Sequence, residues 1–296
     1  MTRADVKVGF ACNNRCIFCA QGDKRTETGM LPVDELDRRL KAAFRPKSGL
    51  VLTGGEPTLH RHLAALVRRA RALGYDPIQV QTNGRMLAYP ALIERLVEAG
   101  VAEFAPSLHG PDASVHDGLT RAPGSFDESV RGIENAVRSG ARVLTNTVVV
   151  RSNLPHLDAT LALLARLGVK KAQLALVHPV GTAAMELSEV PPIELAARYM
   201  AAAVRAGRAL GMDVVTEAVP ACLMRGLEDA IAESRIPETT VVDADGSPFA
   251  FSVWRRSEGK AKGPECKRCR ERMRCEGPWR EYPARDGWSA YEPIPD

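Results

Sequence analysis

Apolar and polar residues alternate along this chain in two rhythms. Short apolar runs at 5–10, 49–53, 77–82, 102–108, 141–150 and 170–178 predict strands. Between them the apolar residues recur three and four apart, as at Leu63, Leu66, Val67, Ala70 and Leu73, or Leu157, Leu161 and Leu164. That spacing predicts helices near 33–44, 60–74, 88–99, 126–139 and 154–167. Gly74, Gly100, Gly140 and Gly168 each follow a helix where a left-handed residue can end it. Repeated βα units predict an α/β fold, a parallel sheet wrapped by helices, with any site at the carboxyl ends of the strands.

The rhythm changes after a further amphipathic helix at 193–210. Residues 239–246 and 249–254 read as a β-hairpin turning at Asp245-Gly246-Ser247-Pro248. We therefore expect two units, 1–211 and 212–296, the second a small α+β domain containing the hairpin. The chain shows no internal repeat beyond the βα alternation and no low-complexity tract.

Composition narrows the class only a little. At 296 residues, 45% hydrophobic and 26% charged, the chain has the balance of a globular protein. Its net charge of +4 implies no particular partner and makes a nucleic-acid role unlooked for. No run of 18 apolar residues offers a membrane span, and the N-terminus carries no apolar signal region. A cytoplasmic location is expected, where seven cysteines point to metal ligation rather than disulfides.

Three of those cysteines stand together in Ala-Cys12-Asn-Asn-Arg-Cys16-Ile-Phe18-Cys19, directly after the first strand. Three thiolates on one loop can hold three irons of a cubane cluster and leave the fourth open. Taken alone, the triplet also suits a zinc knuckle completed from elsewhere or a redox thiol pair. Three other segments fall at strand ends: Gly54-Gly55-Glu56-Pro57, Gln81-Thr82-Asn83-Gly84 and Pro106-Ser107-Leu108-His109-Gly110.

In order and spacing these four segments, over roughly residues 5–180, resemble the radical S-adenosylmethionine (SAM) superfamily. The resemblance implies a partial (β/α)6 TIM-like barrel and a SAM-binding [4Fe-4S] cluster on Cys12, Cys16 and Cys19, whose open iron chelates SAM. It implies cofactor contacts at Phe18, Gly54, Gly55, Glu56, Pro57, Asn83, Ser107 and Arg151. Bare glycine backbone allows close approach, and Glu56 can accept from an ammonium group. Phe18 offers an apolar face to adenine, Asn83 and Ser107 can reach the ribose or carboxylate, and Arg151 can pair with that carboxylate. Without a ligand, the glycines would serve turns, and Asn83 and Ser107 would cap helices.

Cys266-Lys-Arg-Cys269-(x5)-Cys275, with Cys222 upstream, forms a second group. Four thiolates suit structural zinc. Following a hairpin, the group also resembles the twitch extension, the shorter relative of SPASM, which implies one auxiliary [4Fe-4S] cluster with Cys222 as fourth ligand. Lys260, Lys262, Lys267, Arg268, Arg270, Arg272, Arg274 and Arg280 surround it, to balance the charge of a thiolate-ligated cluster, or as a solvated face, a docking patch for a flavodoxin- or ferredoxin-type electron donor, or a weak nucleic-acid footprint. His109, His116, Asp117 and His178 follow strands and are candidates for substrate contact or proton transfer, or simply for bracing their loops.

The reading these features imply is reductive cleavage of SAM to a 5′-deoxyadenosyl radical, then hydrogen abstraction from a peptide or small-molecule substrate. Peptide oxidation is the first substrate class. The cluster loop begins by residue 12, so leader binding would fall to a separate recognition protein or to the barrel rim. Rivals are a small-molecule dehydrogenase, epimerase or mutase, and a non-catalytic electron carrier or sensor, in which Gly54–Pro57 would have no purpose. The cyclase of molybdenum-cofactor synthesis fits less well, having wider C-terminal cysteine spacing and a glycine-rich tail.

Overall fold

The computed structural model describes residues 2–243 and 246–295. Among these residues nine strands form one sheet, ordered β7-β6-β5-β4-β3-β2-β1-β8-β9. β1 (Thr2–Lys7), β2 (Ser48–Thr53), β3 (Ile78–Thr82), β4 (Glu103–Pro106), β5 (Arg142–Val149) and β6 (Lys171–Leu176) are the six strands the apolar runs predict, each parallel to the next. The expected helices are α1 (Val33–Ala43), α2 (Leu63–Leu73), α3 (Pro90–Ala99), α5 (Ser125–Arg138), α6 (Leu157–Arg166) and α7 (Ile193–Ala209). An unexpected short helix, α4 (Ala113–Thr120), stands between β4 and α5, with the Asp112 side chain accepting from Val115 N at its start.

Alternation along each strand sorts residues between two environments. Ala4 and Val6 of β1 pack with Leu36 and Leu40 of α1 in one buried cluster. On the other face, successive strands present polar residues to the barrel lumen. Gln79 and Gln173 line its floor, while Gln81, Asn146 and Glu217 line its open end.

The C-terminal third departs from the expected layout. β7 (Asp213–Glu217) pairs parallel with β6, and β8 (Glu238–Val242) pairs parallel with β1. One sheet therefore takes strands from both sides of the division expected at 211/212. The hairpin is reduced to two residue pairs between β8 and β9 (Pro248–Phe249), and Phe251–Trp254 is helical rather than extended. β8 instead spends its apolar residues on the free edge of β1, with Val241 and Val242 buried. The turn expected at 245–248 falls partly outside the described residues, since Asp245 is not among them. Trp279, Tyr282 and Tyr291 share the core of α6 and α7, and Tyr282 Oη donates to the carbonyl of Val177 at 3.0 Å. Among the described residues no helix is long and apolar enough to cross a membrane.

Candidate functional site

The first cysteine loop crosses the carboxyl ends of the strands and is tied down on both sides. Gly55 N donates to Gly9 O (2.8 Å) and Glu56 N to Ala11 O (2.9 Å), while Arg15 N and Ile17 N donate to Thr120 O and Leu119 O at the end of α4. A Cβ at Gly54 would fall 2.1 Å from Gly9 O, and one at Gly55 would fall 2.2 Å from Phe10 O. The paired glycines therefore admit the cysteine loop's own backbone, a contact no side chain permits.

Glu56 is fully buried and faces the chain itself. Its Oε1 accepts from Thr58 N (3.0 Å), from the Thr58 hydroxyl and from Thr82 Oγ1 (2.6 Å), and its Oε2 from Asn83 N (2.6 Å). Burial pushes its carboxyl above the usual range despite these donors. Asn83, so fixed, donates from Nδ2 to Asn13 Oδ1 at 2.6 Å. Arg85, which the sequence does not single out, donates to Asn13 O and Asn14 Oδ1 and pairs with Glu128.

These contacts leave a cavity of about 320 Å³ at the open end of the barrel. It gathers Cys12, Cys16, Cys19, Phe18, Gly54, Gly55, Asn83, Ser107, His109 and His178. Glu56, Pro57, Arg151, His116 and Asp117 are not among the residues lining it. Arg151 is exposed, with Nε on the carbonyl of Ser188, 2.8 Å away. Asp117 caps α5, accepting from Gly124 N (2.7 Å), Ser125 Oγ (2.8 Å) and Phe126 N (2.8 Å). His116 Nδ1 accepts from His109 N (3.0 Å), and His109 Nδ1 from Val148 N (3.2 Å). Burial holds both rings below the ordinary histidine range, His116 at about 4, so they serve as neutral acceptors.

His178 is the histidine with a different neighbourhood. Its ring stacks on Trp279, centroids 4.0 Å apart, and its Nε2 lies 3.3 Å from Glu281 Oε2. Burial lowers its pKa against the pull of Glu281. Glu217, Asn146 and Trp279 line the same cavity but belong to no recognisable motif. Gln173 Nε2 holds Glu217 Oε2 at 2.6 Å, and burial together with Glu233 raises the Glu217 pKa. Only the inward parity of polar residues on β5 and β7 hints at Asn146 and Glu217; nothing local marks Trp279.

The second cysteine group also closes on a common void. Cys222, Cys266, Cys269 and Cys275 line it together with Tyr291 and Trp288. Burial raises the Cys222 thiol to about 12, and Cys275, Cys266 and Cys269 add to the shift. Tyr291 Oη is buried with no partner among the described residues, and Ile294 N lies 3.4 Å from Cys269 Sγ. None of the seven cysteines is in a disulfide, and among the described residues no three His, Cys, Asp or Glu side chains converge on a single-ion site.

Against known families, the profile of the Radical SAM superfamily matches residues 6–164, more than half of the chain. The chain belongs to the radical SAM superfamily. Its relatives include an AdoMet-dependent heme synthase of Oleidesulfovibrio alaskensis, 33% identical over 51% of this chain and 39% of the relative. A probable GTP 3′,8-cyclase of Methanopyrus kandleri is 34% identical over 53% of this chain and 52% of the relative. This radical SAM chain thus aligns with about half or less of those relatives' length. Among solved structures, anSMEcpe with bound AdoMet superposes with a TM-score of 0.70 at 15% identity, covering 99% of this chain and 93% of that one. Streptococcus suis SuiB bound to S-adenosylmethionine gives 0.62 at 14%, covering 93% and 72%. At such identities the likeness is one of fold, and it bears out the partial TIM-like barrel.

Membership implies a [4Fe-4S] cluster and SAM, and the residues present fit both. Three thiols line one cavity with room beside them, and as ligands of a cubane they would leave one iron without a protein ligand. Asn14 N, 3.4 Å from Cys12 Sγ, adds a donor suited to a thiolate.

Proposed function

We propose that this chain is a radical SAM enzyme that oxidises a peptide side chain, with a second [4Fe-4S] cluster on Cys222, Cys266, Cys269 and Cys275. A reduced cluster with bound SAM supplies a 5′-deoxyadenosyl radical that removes a hydrogen atom from substrate. The chain's own residues hold the parts in place. Cys12, Cys16 and Cys19 ligate, bare backbone at Gly54 and Gly55 seats the loop, and Phe18, Asn83 and Ser107 face the cofactor. Glu56 acts one step back, fixing Asn83 through its backbone N–H. His178, Trp279 and Glu217 form the far wall, where substrate is presented. His109, a neutral acceptor, keeps β5 in register beside them.

The observation that carries the second cluster is the continuity of 275–279. Cys275, Gly277 and Pro278 line the four-thiol void and Trp279 lines the reaction cavity. Four residues of extended chain span at most ~14 Å. A cluster there can take the electron a substrate radical must lose. The four thiols line one void, as ligands of a cubane cluster would, and the likeness of their spacing to a twitch extension favours that cluster over one zinc ion. In this reading 212–296 act as a twitch-like unit sharing the barrel's sheet.

For substrate class, SuiB has been solved bound to its precursor peptide and anSMEcpe with bound peptides. In this chain Thr182 N donates to Cys19 O, and the same loop exposes Met185 and Leu187, 69% and 55% accessible, apolar footing for a peptide. Radical chemistry on a small molecule, as a dehydrogenase, epimerase or mutase, is the second reading, and the names of the sequence relatives, a heme synthase and a GTP cyclase, favour the small-molecule class. Iron, sulfide and zinc content of anaerobically reconstituted protein tests the first part. About eight irons, falling to about four when Cys12, Cys16 and Cys19 become alanine, is expected. Dithionite-reduced protein should form 5′-deoxyadenosine from SAM; none formed by fully loaded protein would end the enzyme reading. Loss of two hydrogens from a peptide encoded beside the gene would decide the substrate.

A further inference from the structure

Four charged side chains are buried together between the two sites. Lys260 Nζ bonds Glu233 Oε1 and lies 3.8 Å from Glu276 Oε2. Arg255 grips Glu276 with two bonds of 2.7 and 2.9 Å. The Lys260 side chain is 0% exposed, Arg255 2%, Glu233 3% and Glu276 9%. Burying four charges costs so much desolvation that apolar side chains often hold a fold as well. Stability is therefore a weak reason for this network, and its placement suggests a stronger one.

Each end of the network touches a site. Lys260 Nζ lies 5.1 Å from the centroid of Trp279, the ring that stacks on His178 in the reaction cavity. Glu276 is bonded directly to Cys275. Glu233 Oε1 also accepts from Ala218 N at 2.8 Å, next to Glu217 of the cavity wall. Ala218 has φ 67°, a left-handed backbone that a residue with a side chain holds only where its surroundings fix it. Glu233 Oε2 has no partner among the described residues, so this carboxylate is left partly uncompensated beside the ammonium.

We propose that Lys260 and Glu233 are an opposed pair of positioning charges that set the reduction potential of the C-terminal cluster. The inference rests on reading Cys222, Cys266, Cys269 and Cys275 as iron–sulfur ligands. The couple is a one-electron change in which no bond forms or breaks: the cluster gains one electron from the substrate radical, or from dithionite in the test, and becomes one unit more negative. A buried ammonium favours that reduced state and a buried carboxylate opposes it, because neither is screened by water. Together they would keep the cluster able to accept the substrate's electron and then release it.

The test is a potentiometric titration followed by electron paramagnetic resonance. It uses the full chain with Cys12, Cys16 and Cys19 replaced by alanine, so that one cluster is observed. Lys260→Met should move the potential to more negative values, Glu233→Gln to more positive values, and Lys260→Arg should stay near the parent. General damage to packing does not predict opposite signs for two partners of one ion pair. Potentials unmoved, or moved in the same direction by both, overturn the inference. Where Lys260→Met fails to hold iron, the other two variants decide: no positive shift in Glu233→Gln overturns it. A parent that binds no iron, or binds zinc instead, overturns the iron–sulfur reading and the inference together, whereas a loaded parent with unmoved variants overturns the inference alone.

Discussion

Arg85 Nη1 lies 3.0 Å from Asn14 Oδ1, so a side chain just past the end of β3 braces the middle of the cysteine loop. The same guanidinium bonds the carbonyl of Asn13 and pairs with Glu128 of α5. Arg85→Met removes these charge-assisted bonds, worth about 1.5–3 kcal/mol each when made to a charged group. We expect iron at the N-terminal site to be lost to a chelator at least about tenfold faster than in the parent, since 1.4 kcal/mol is a factor of ten. Equal release rates would remove the bracing role.

Gly55→Ala brings a methyl group to 2.2 Å from Phe10 O, a contact that backbone atoms must move to relieve. Overpacking of this kind costs about 1–3 kcal/mol. The cost falls on the loop that carries Cys12, Cys16 and Cys19, so reconstitution should stop near about four irons, all at the C-terminal group. A variant with the parent's iron content would show that the loop has slack the structure does not suggest.

Asp117 makes a stability prediction with a defined pH dependence. Burial alone would raise its pKa, but its bonds to Ser125, Phe126 and Gly124 outweigh that and leave it below the ordinary aspartate value of 3.8. The folded chain therefore binds this proton less readily than the unfolded chain. The stabilisation is fully present above the unfolded value and is lost as pH falls through the lower folded value. Asp117→Asn should cost about 1 kcal/mol at pH 7, as a lost helix cap does, and the gap to the parent should close in acid. Unfolding midpoints of both proteins from pH 7 downward give the answer. A change confined to turnover, with stability kept, would return Asp117 to the chemistry that its position after β4 suggested.

Cys222→Ala addresses the fourth thiol. Cys222 shares one void with the other three C-terminal cysteines, so its removal should alter the electron paramagnetic resonance signal of the C-terminal cluster and lower its iron content. Unchanged spectra would leave Cys222 as a half-buried residue of the surrounding apolar cluster.

The barrel was legible because its signals are local. Short apolar runs mark β1 to β6 and period-3.6 spacing marks the helices between them, each within a few residues, and Cys12–Cys19 and Gly54–Pro57 are contiguous. What escaped depends on partners distant in sequence. β8 looks like a hairpin arm until β1 is seen to offer it an edge. Trp279 enters the cavity because Lys260 and His178 hold it there, and no pattern around residue 279 announces that. Arg151 follows a strand, as a cofactor contact would, yet its side chain bonds Ser188 O instead. Nearness to β4 in the sequence suggests a place at the rim for His116 and Asp117. The helix that carries them turns both toward α5 and the β4–β5 backbone.

The pairing of Thr2 with Glu238 has a consequence for how the protein is made. β1 leaves the ribosome well before β8, so one of its two edges finds its partner only when almost the whole barrel has been translated. Until then the strand leading into Cys12, Cys16 and Cys19 stays half-paired and open to wrong partners. Contacts this distant in sequence also slow folding.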